Sequence, residues 1–146
     1  MVLCRRTIFL CHTAPDPSAE QVGRTEFIDL AQLYASLPPR LQAAADRTTV
    51  TRRGAGDGPN FVTARRAMNT SSLVRVHPVT GHRSVWGSPG HFRPGTEYSG
   101  VPAATLEELL AALDPAQGQE LSPHERFVLR YGYEVGDVVM WDNYSL

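Results

Sequence analysis

The segment from Gly136 to Asn143 is the feature that most constrains the fold of this chain. Gly136-Asp137 is a dipeptide typical of hairpin turns, and Val138-Val139-Met140-Trp141 has the apolar, β-branched composition of a buried strand. Asp142-Asn143 follows with two residues that favour turns. The pattern predicts a hairpin turn, a buried strand and a second turn, and therefore a fold in which a sheet is a central element.

Length and composition indicate one globular domain or a large part of one. The chain has 146 residues, of which 42% are hydrophobic and 20% are charged, and both fractions are ordinary for soluble proteins. A net charge of −1 favours neither nucleic acid nor an anionic membrane surface as a partner. No apolar run approaches the roughly 20 residues of a membrane helix, and the N-terminal apolar run is too short for a signal peptide.

The two cysteines, Cys4 and Cys11, are predicted not to pair with each other. Their odd separation places them on opposite faces of one extended segment. We therefore expect reduced thiols and a cytoplasmic location.

Strand-like segments outnumber helical ones along the chain. Apolar residues recur with helical spacing from Asp29 to Leu37, and Pro38-Pro39 ends that helix and begins a shorter one over Arg40–Ala45. The capping-box pattern from Thr105 to Glu108 predicts a third helix with Thr105 as its N-cap. Extended segments are predicted at 7–11, 22–27, 73–77, 83–86, 127–131 and 138–141. The sequence predicts a mainly β fold with helical insertions and mostly antiparallel pairing, either a sandwich or a barrel.

Residues 46–72 carry threonine, arginine, glycine and asparagine with little periodicity. Segments of this kind within a domain are typical of functional lids, so we expect a long, mobile, lid-like loop with a helical turn near 62–68. The pairs Arg52-Arg53 and Arg65-Arg66 could contact an acidic substrate, although solvated loop charge is the simpler interpretation.

Three segments carry further patterns in a fixed order. The first is Gly23-Arg24-Thr25-Glu26-Phe27 with the helix that ends at Leu37-Pro38. The second, residues 74–81, reads V-x-x-H-P-x-T-G, and the third, residues 136–143, reads G-D-x-x-x-W-D-N. Together they resemble the TauD/TfdA family of iron(II)- and 2-oxoglutarate-dependent dioxygenases. The resemblance implies that residues 1–146 are a single partial domain, an incomplete double-stranded β-helix (jelly-roll) of the clavaminate synthase type.

The resemblance also implies a chemistry. An intact member would decarboxylate 2-oxoglutarate to succinate and hydroxylate a small organic acid, with iron(II) held by a 2-His-1-carboxylate triad. Thr25 matches the family threonine that hydrogen-bonds a carboxylate oxygen of 2-oxoglutarate. Without the resemblance, a β-branched residue at a strand start would be the simpler interpretation. His91 and Phe92 fall near the position of a substrate-contacting aromatic residue.

The iron ligands are not found in the sequence. None of the five histidines (His12, His77, His82, His91 and His124) begins an H-x-D motif. The resemblance places that motif at or before Met1, and places the distal histidine and the 2-oxoglutarate-binding arginine after Leu146. We therefore assign no catalytic or metal-binding residue, and we expect neither iron(II) nor 2-oxoglutarate to bind tightly to this chain. His77 is interpreted as structural, since metal pairs with His82, or between His12 and Asp16, would be unusual.

Three hypotheses follow for the function. The chain is part of a dioxygenase, or it is a non-catalytic remnant or partner-binding domain that retains the scaffold without the metal site. A small-molecule-binding β-barrel unrelated to the family stays open if the matching segments are coincidental. The sequence leaves the primary substrate and the oligomeric state undetermined.

Overall fold

A computed structural model describes residues 6–14, 24–52, 69–86, 96–113 and 127–145 of the chain. Nine strands and three helices lie in these residues. They are β1 (Arg6–Leu10), β2 (Arg24–Ile28), α1 (Leu30–Ser36), α2 (Pro39–Arg47), β3 (Thr49–Arg52), β4 (Asn69–Ser72), β5 (Val74–Val76), β6 (Arg83–Val85), β7 (Thr96–Ser99), α3 (Ala103–Leu113), β8 (Val128–Gly132) and β9 (Val138–Asp142). Among the described helices, none is long and apolar enough to span a membrane.

The strands pair antiparallel, and two of the pairs join distant parts of the chain. β1 pairs with β9, with Ile8 opposite Met140, and β2 pairs with β8, with Thr25 opposite Tyr131. β3 lies between β4 and β7, and β5 forms a hairpin with β6. The predicted mainly β fold with helical insertions is confirmed, and it is consistent with a partial jelly-roll.

Helix α1 begins where the sequence predicts. The side chain of Asp29 caps it by accepting hydrogen bonds from the backbone N–H groups of Ala31, at 3.0 Å, and Gln32, at 2.9 Å. The cap fixes where the helix begins, and the apolar stripe is the face that the helix buries. The buried residues of this stripe are Leu30, Leu33, Tyr34 and Leu37.

The three helices share one core with the β3 and β5–β6 strands. Its fully buried side chains come from all of these parts, and they include Leu33, Ala44, Val50, Leu73, Val85, Leu109 and Leu113. Two sets of polar contacts join neighbouring elements at the edge of this core. Arg40 of α2 forms a bidentate ion pair with Glu108 of α3, and Asp46 of α2 accepts hydrogen bonds from Tyr34 and Arg83.

The predicted loop over 46–72 is shorter than expected. Residues 46–47 complete α2, while residues 49–52 and 69–72 are strands β3 and β4. The sequence does not predict these strands because their exposed side chains are polar and pair through hydroxyls. The hydroxyl oxygens of Thr51 and Thr70, for example, lie 2.9 Å apart. Residues 53–68, including the predicted helical turn at 62–68, lie outside the described residues, and the lid role stays a prediction.

The predicted start of the third helix is wrong. Helix α3 begins at Ala103, and the N–H of Leu106 already donates to the carbonyl of Pro102, at 2.9 Å. Thr105 therefore lies inside the first turn and is not the N-cap. Pro102 accepts the first hydrogen bond of the helix and therefore occupies the N-cap position that the sequence assigns to Thr105.

The prediction of a buried hairpin strand at 138–141 is also wrong. β9 pairs with β1 and not with β8. One face of the β1–β9 ribbon carries Ile8, Leu10, Val138 and Met140, whose side chains are between 51% and 65% exposed. The opposite face carries Trp141, which packs edge-on against Phe9 at 4.7 Å between ring centroids. Apolar composition gave the strand correctly but not its burial, because burial depends on what packs over each face.

Gly100 provides a test of how β7 joins α3. Its φ is +102°, and a Cβ placed there would lie 2.2 Å from the carbonyl oxygen of Arg47 at the end of α2. We expect Gly100→Ala to lower the free energy of unfolding by at least about 2 kcal/mol, since it adds backbone strain and a clash with backbone. Gly132→Ala is the control, since a Cβ at that position meets no atom within 4 Å. Equal denaturation midpoints for the two variants would contradict this packing.

Candidate functional site

Thr25 is the second residue of strand β2, which pairs along its length with β8. It is partly buried on β2, directly opposite Tyr131 of β8. Its hydroxyl makes no hydrogen bond to any other residue that the structure describes. Thr25 and Phe27 share one face of β2 because strand side chains alternate, and Trp141 of β9 packs on Phe27 at 5.1 Å. The threonine therefore lies on the face of β2 that meets the β1–β9 ribbon.

The Gly136-Asp137 turn is built around a single carboxylate. Oδ2 of Asp137 accepts hydrogen bonds from the Tyr131 hydroxyl, at 2.9 Å, and from the backbone N–H of Glu134, at 2.8 Å. These two donors, the backbone N–H first, lower the pKa of Asp137, and the bond to Asp137 raises the pKa of Tyr131. Gly136 has a φ of +96°, which explains the glycine at this position.

The same turn is attached to the end of β1. The N–H of Cys11 donates to the carbonyl of Asp137, and the N–H of Gly136 donates to the carbonyl of Cys11, both at 2.9 Å. Cys11 itself is a free cysteine. The G-D pattern thus fixes the start of β9 against β1, whereas a hairpin would have fixed it against β8.

Each of the W-D-N residues contacts a different set of neighbours. Trp141 fills the space between Phe9 and Phe27. The Asn143 side chain exchanges hydrogen bonds with the Thr7 hydroxyl, with Nδ2 donating at 2.9 Å. Oδ1 of Asp142 accepts from the N–H of Tyr144, at 2.8 Å, and so closes the turn after β9.

His77 and Asp142 bring two of the patterned segments together. Nε2 of His77 lies 3.2 Å from Oδ2 of Asp142, and its Nδ1 accepts the backbone N–H groups of Val79 and Thr80, each at 3.1 Å. The ring also packs on Tyr144, with 5.6 Å between centroids. The pKa of Asp142 is lowered, chiefly by the Tyr144 N–H and then by His77 and Arg6. The sequence showed both motifs but gave no signal that they touch.

The described donors do not fit an iron site. No group of three histidine, cysteine, aspartate or glutamate side chains that could hold a metal occurs within residues 6–14, 24–52, 69–86, 96–113 and 127–145. Both ring nitrogens of His77 are engaged, so a metal pair with His82 has no free ligand there. His91, Phe92 and Asp16 lie outside the described residues, and the substrate role of His91 and Phe92 stays a prediction.

Comparison with known proteins identifies what the chain is similar to. Residues 4–146 match the family model described as "Taurine catabolism dioxygenase TauD, TfdA family". The alpha-ketoglutarate-dependent 2,4-dichlorophenoxyacetate dioxygenase of Cupriavidus pinatubonensis is 32% identical over 129 residues, which are 83% of this chain and 42% of that protein. A Burkholderia sp. enzyme of the same description is 33% identical over 83% of this chain and 40% of its own length.

A solved structure shows the same relation. A taurine dioxygenase from Burkholderia xenovorans superposes with a TM-score of 0.67 and 28% identity, over 97% of this chain and 44% of that one. The chain thus spans less than half the length of these relatives.

Asp137 gives a pH-dependent prediction. Its folded-state pKa is depressed below the ordinary 3.8, so its carboxylate stabilises the fold above that pH, and the contribution is lost as the pH falls through the folded-state value. We expect unfolding to become easier with acid below pH 3.8, and Asp137→Asn to remove part of that dependence. A carbon-13 titration of the Asp137 carboxyl should give a pKa below 3.8. A value at or above 3.8 would contradict the hydrogen bonds assigned to this turn.

Proposed function

Because the chain belongs to the TauD/TfdA family, we propose that it is part of an iron(II)- and 2-oxoglutarate-dependent dioxygenase. In intact form the enzyme oxidises a small organic acid while 2-oxoglutarate is decarboxylated to succinate. The observation that carries the proposal is the family match over nearly the whole chain. Residues of all three patterned segments also make contacts within the fold. Iron(II) supplies the oxidative chemistry in this proposal, and its ligands are not among the described residues.

Thr25 is the residue of this chain that we propose to contact 2-oxoglutarate. Its hydroxyl has no hydrogen-bond acceptor among the described residues, so donation to a ligand carboxylate costs no bond within that part of the fold. One such bond contributes about 1 kcal/mol net. Thr25 alone therefore cannot hold a dianion, and the remaining affinity has to come from cationic or metal partners.

The other parts of the proposal concern the substrate and its surroundings. A small organic acid is the substrate class, His91 and Phe92 are proposed to line its pocket, and residues 53–68 are proposed to cover it. We propose no nucleic-acid or membrane partner, because a net charge of −1 gives the chain no excess of positive charge to attract either one. A cytoplasmic location is proposed from the free thiol of Cys11.

A specific observation favours a second candidate, a scaffold that binds a partner without catalysis. The outer face of the β1–β9 ribbon exposes Ile8, Leu10, Val138 and Met140 together. Contiguous exposed apolar side chains are typical of interaction surfaces. This candidate requires no iron site even in the complete protein, so iron binding by the complete protein, and not by this chain alone, separates the two.

We expect the 146-residue chain by itself neither to bind iron(II) tightly nor to stimulate decarboxylation of 2-oxoglutarate. The reason is that its histidines form no H-x-D motif and its described donors form no metal cluster. Anaerobic calorimetry with iron(II) and measurement of carbon dioxide release from 2-oxoglutarate test this. Submicromolar binding together with turnover would contradict it, and His77→Ala would show whether any residual binding depends on that ring.

In the complete enzyme that contains this chain, Thr25→Val should weaken 2-oxoglutarate more than the primary substrate. The change removes a hydroxyl donor at nearly constant volume, at an expected cost of about 1–3 kcal/mol, or roughly 5- to 150-fold in affinity. Thr51→Val is the matched control, since Thr51 lies on β3 and its hydroxyl pairs with Thr70. If Thr25→Val leaves the affinity for 2-oxoglutarate unchanged, the proposed contact of Thr25 with this ligand is refuted.

A further inference from the structure

The turn that follows β9 (residues 143–145, the post-β9 turn) is held from several elements of the fold at once. A three-residue turn closes with its own backbone bonds, and here the N–H of Ser145 donates to the carbonyl of Asp142 at 3.2 Å. The additional partners come from β1, β6 and α1: Thr7 bonds to the Asn143 side chain, the Ser84 hydroxyl donates to the Tyr144 carbonyl, and the Leu30 N–H donates to the Ser145 carbonyl at 2.9 Å. More hydrogen bonds therefore fix the position of this turn than the formation of the turn itself requires.

His77 adds the β5–β6 hairpin to these partners, and its ring chemistry is fixed on both sides. Because Nδ1 accepts two backbone N–H groups, it carries a lone pair and no proton. The proton of the neutral ring is therefore on Nε2, which donates to Oδ2 of Asp142 at 3.2 Å. The side chain of His77 is only 13% exposed, so water competes little for these bonds.

Asp142 passes this restraint to the post-β9 turn. Its Oδ2 faces His77 while its Oδ1 accepts the Tyr144 N–H at 2.8 Å, so one planar carboxylate couples the ring to the turn backbone. Within the described residues, Arg6, directly opposite on β1, also acts on this carboxylate. Arg6 offsets the negative charge of Asp142, whereas His77 connects the β5–β6 hairpin to the Asp142 carboxylate.

We propose that His77 is a positioning residue, which acts through Asp142 to fix where the chain runs after β9. The proposal rests on the proposed function in one respect, namely that this turn borders the reacting centre. Trp141, at the start of the W-D-N segment, packs on Phe27, and Phe27 shares its face of β2 with Thr25. The post-β9 turn is therefore linked through Trp141 and Phe27 to the strand that carries the residue proposed to contact 2-oxoglutarate.

Two conservative variants separate this role from a purely local one. In His77→Asn, the side-chain oxygen takes the place of Nδ1 and can still accept from Val79 and Thr80, but it cannot reach Asp142. In His77→Gln, the side-chain nitrogen takes the place of Nε2 and can still donate to Asp142, while the bonds within the hairpin are lost. If His77 served only its own hairpin, asparagine would be the better replacement.

Amide hydrogen exchange on the chain provides the structural measurement. We expect the Tyr144 amide to exchange at least about tenfold faster in His77→Asn, and close to the native rate in His77→Gln. Nitrogen-15 shifts of the native His77 ring should show the tautomer with the proton on Nε2. Any result in which glutamine does not protect Tyr144 better than asparagine overturns the proposal, as does a proton on Nδ1.

Steady-state kinetics of the complete enzyme provide the functional measurement. Thr25 is held by the β2–β8 pairing, so we expect the KM for 2-oxoglutarate to change little. We expect kcat to fall about 10- to 100-fold in His77→Asn and to be largely retained in His77→Gln, because small displacements near a reacting centre are costly. Equal kcat in the two variants would overturn the role in catalysis. A native enzyme without 2-oxoglutarate turnover would instead refute the proposed function, and the exchange comparison would still decide the positioning role.

Discussion

Pairing of strands from opposite ends of the chain is the constraint on which the rest of this structure depends. β1 pairs with β9 and β2 with β8, so each ribbon closes a loop of most of the chain. Such closure has an entropic cost that backbone hydrogen bonds must offset. Side chains at both ends of β9 contribute to this offset. Asp137 orders the turn that docks on Cys11, and Asn143 bonds to Thr7, so the register is fixed at both ends of the ribbon.

The two ribbons meet through aromatic side chains, and this contact decides which face of β9 is inward. Trp141 lies between Phe9 and Phe27, and it thereby joins the β1–β9 ribbon to β2. The face of the ribbon that carries Ile8 and Met140 is exposed within the described structure. This exposed apolar face is the observation on which the second proposal, a partner-binding scaffold, rests.

Local patterns predicted most of the local structure, with the start of α3 as an exception, and they failed more widely where a distant segment decided the outcome. Asp29 and the apolar stripe of α1 specify a helix through contacts within a few residues, so the sequence predicts its start and its buried face. β3 and β4 escaped prediction because their polar faces suit solvent as well as a sheet, and only their pairing distinguishes them from a loop. The exposure of Met140 and the contact between His77 and Asp142 depend on residues far apart in the chain, about which periodicity carries no information.

The family motifs in this chain differ in what their presence can show about function. Asp137, His77, Asp142 and Asn143 each satisfy hydrogen bonds within the fold, so a scaffold that had lost its chemistry would still need them. Thr25 is different, since its hydroxyl bonds to no other described residue and a valine would serve the strand equally well. The proposed contact with 2-oxoglutarate would give this hydroxyl a partner, and the described fold does not provide one. Under the proposed function, substitution of the Thr25 hydroxyl therefore tests for an enzyme more directly than substitution within the W-D-N segment, which first suggests the family.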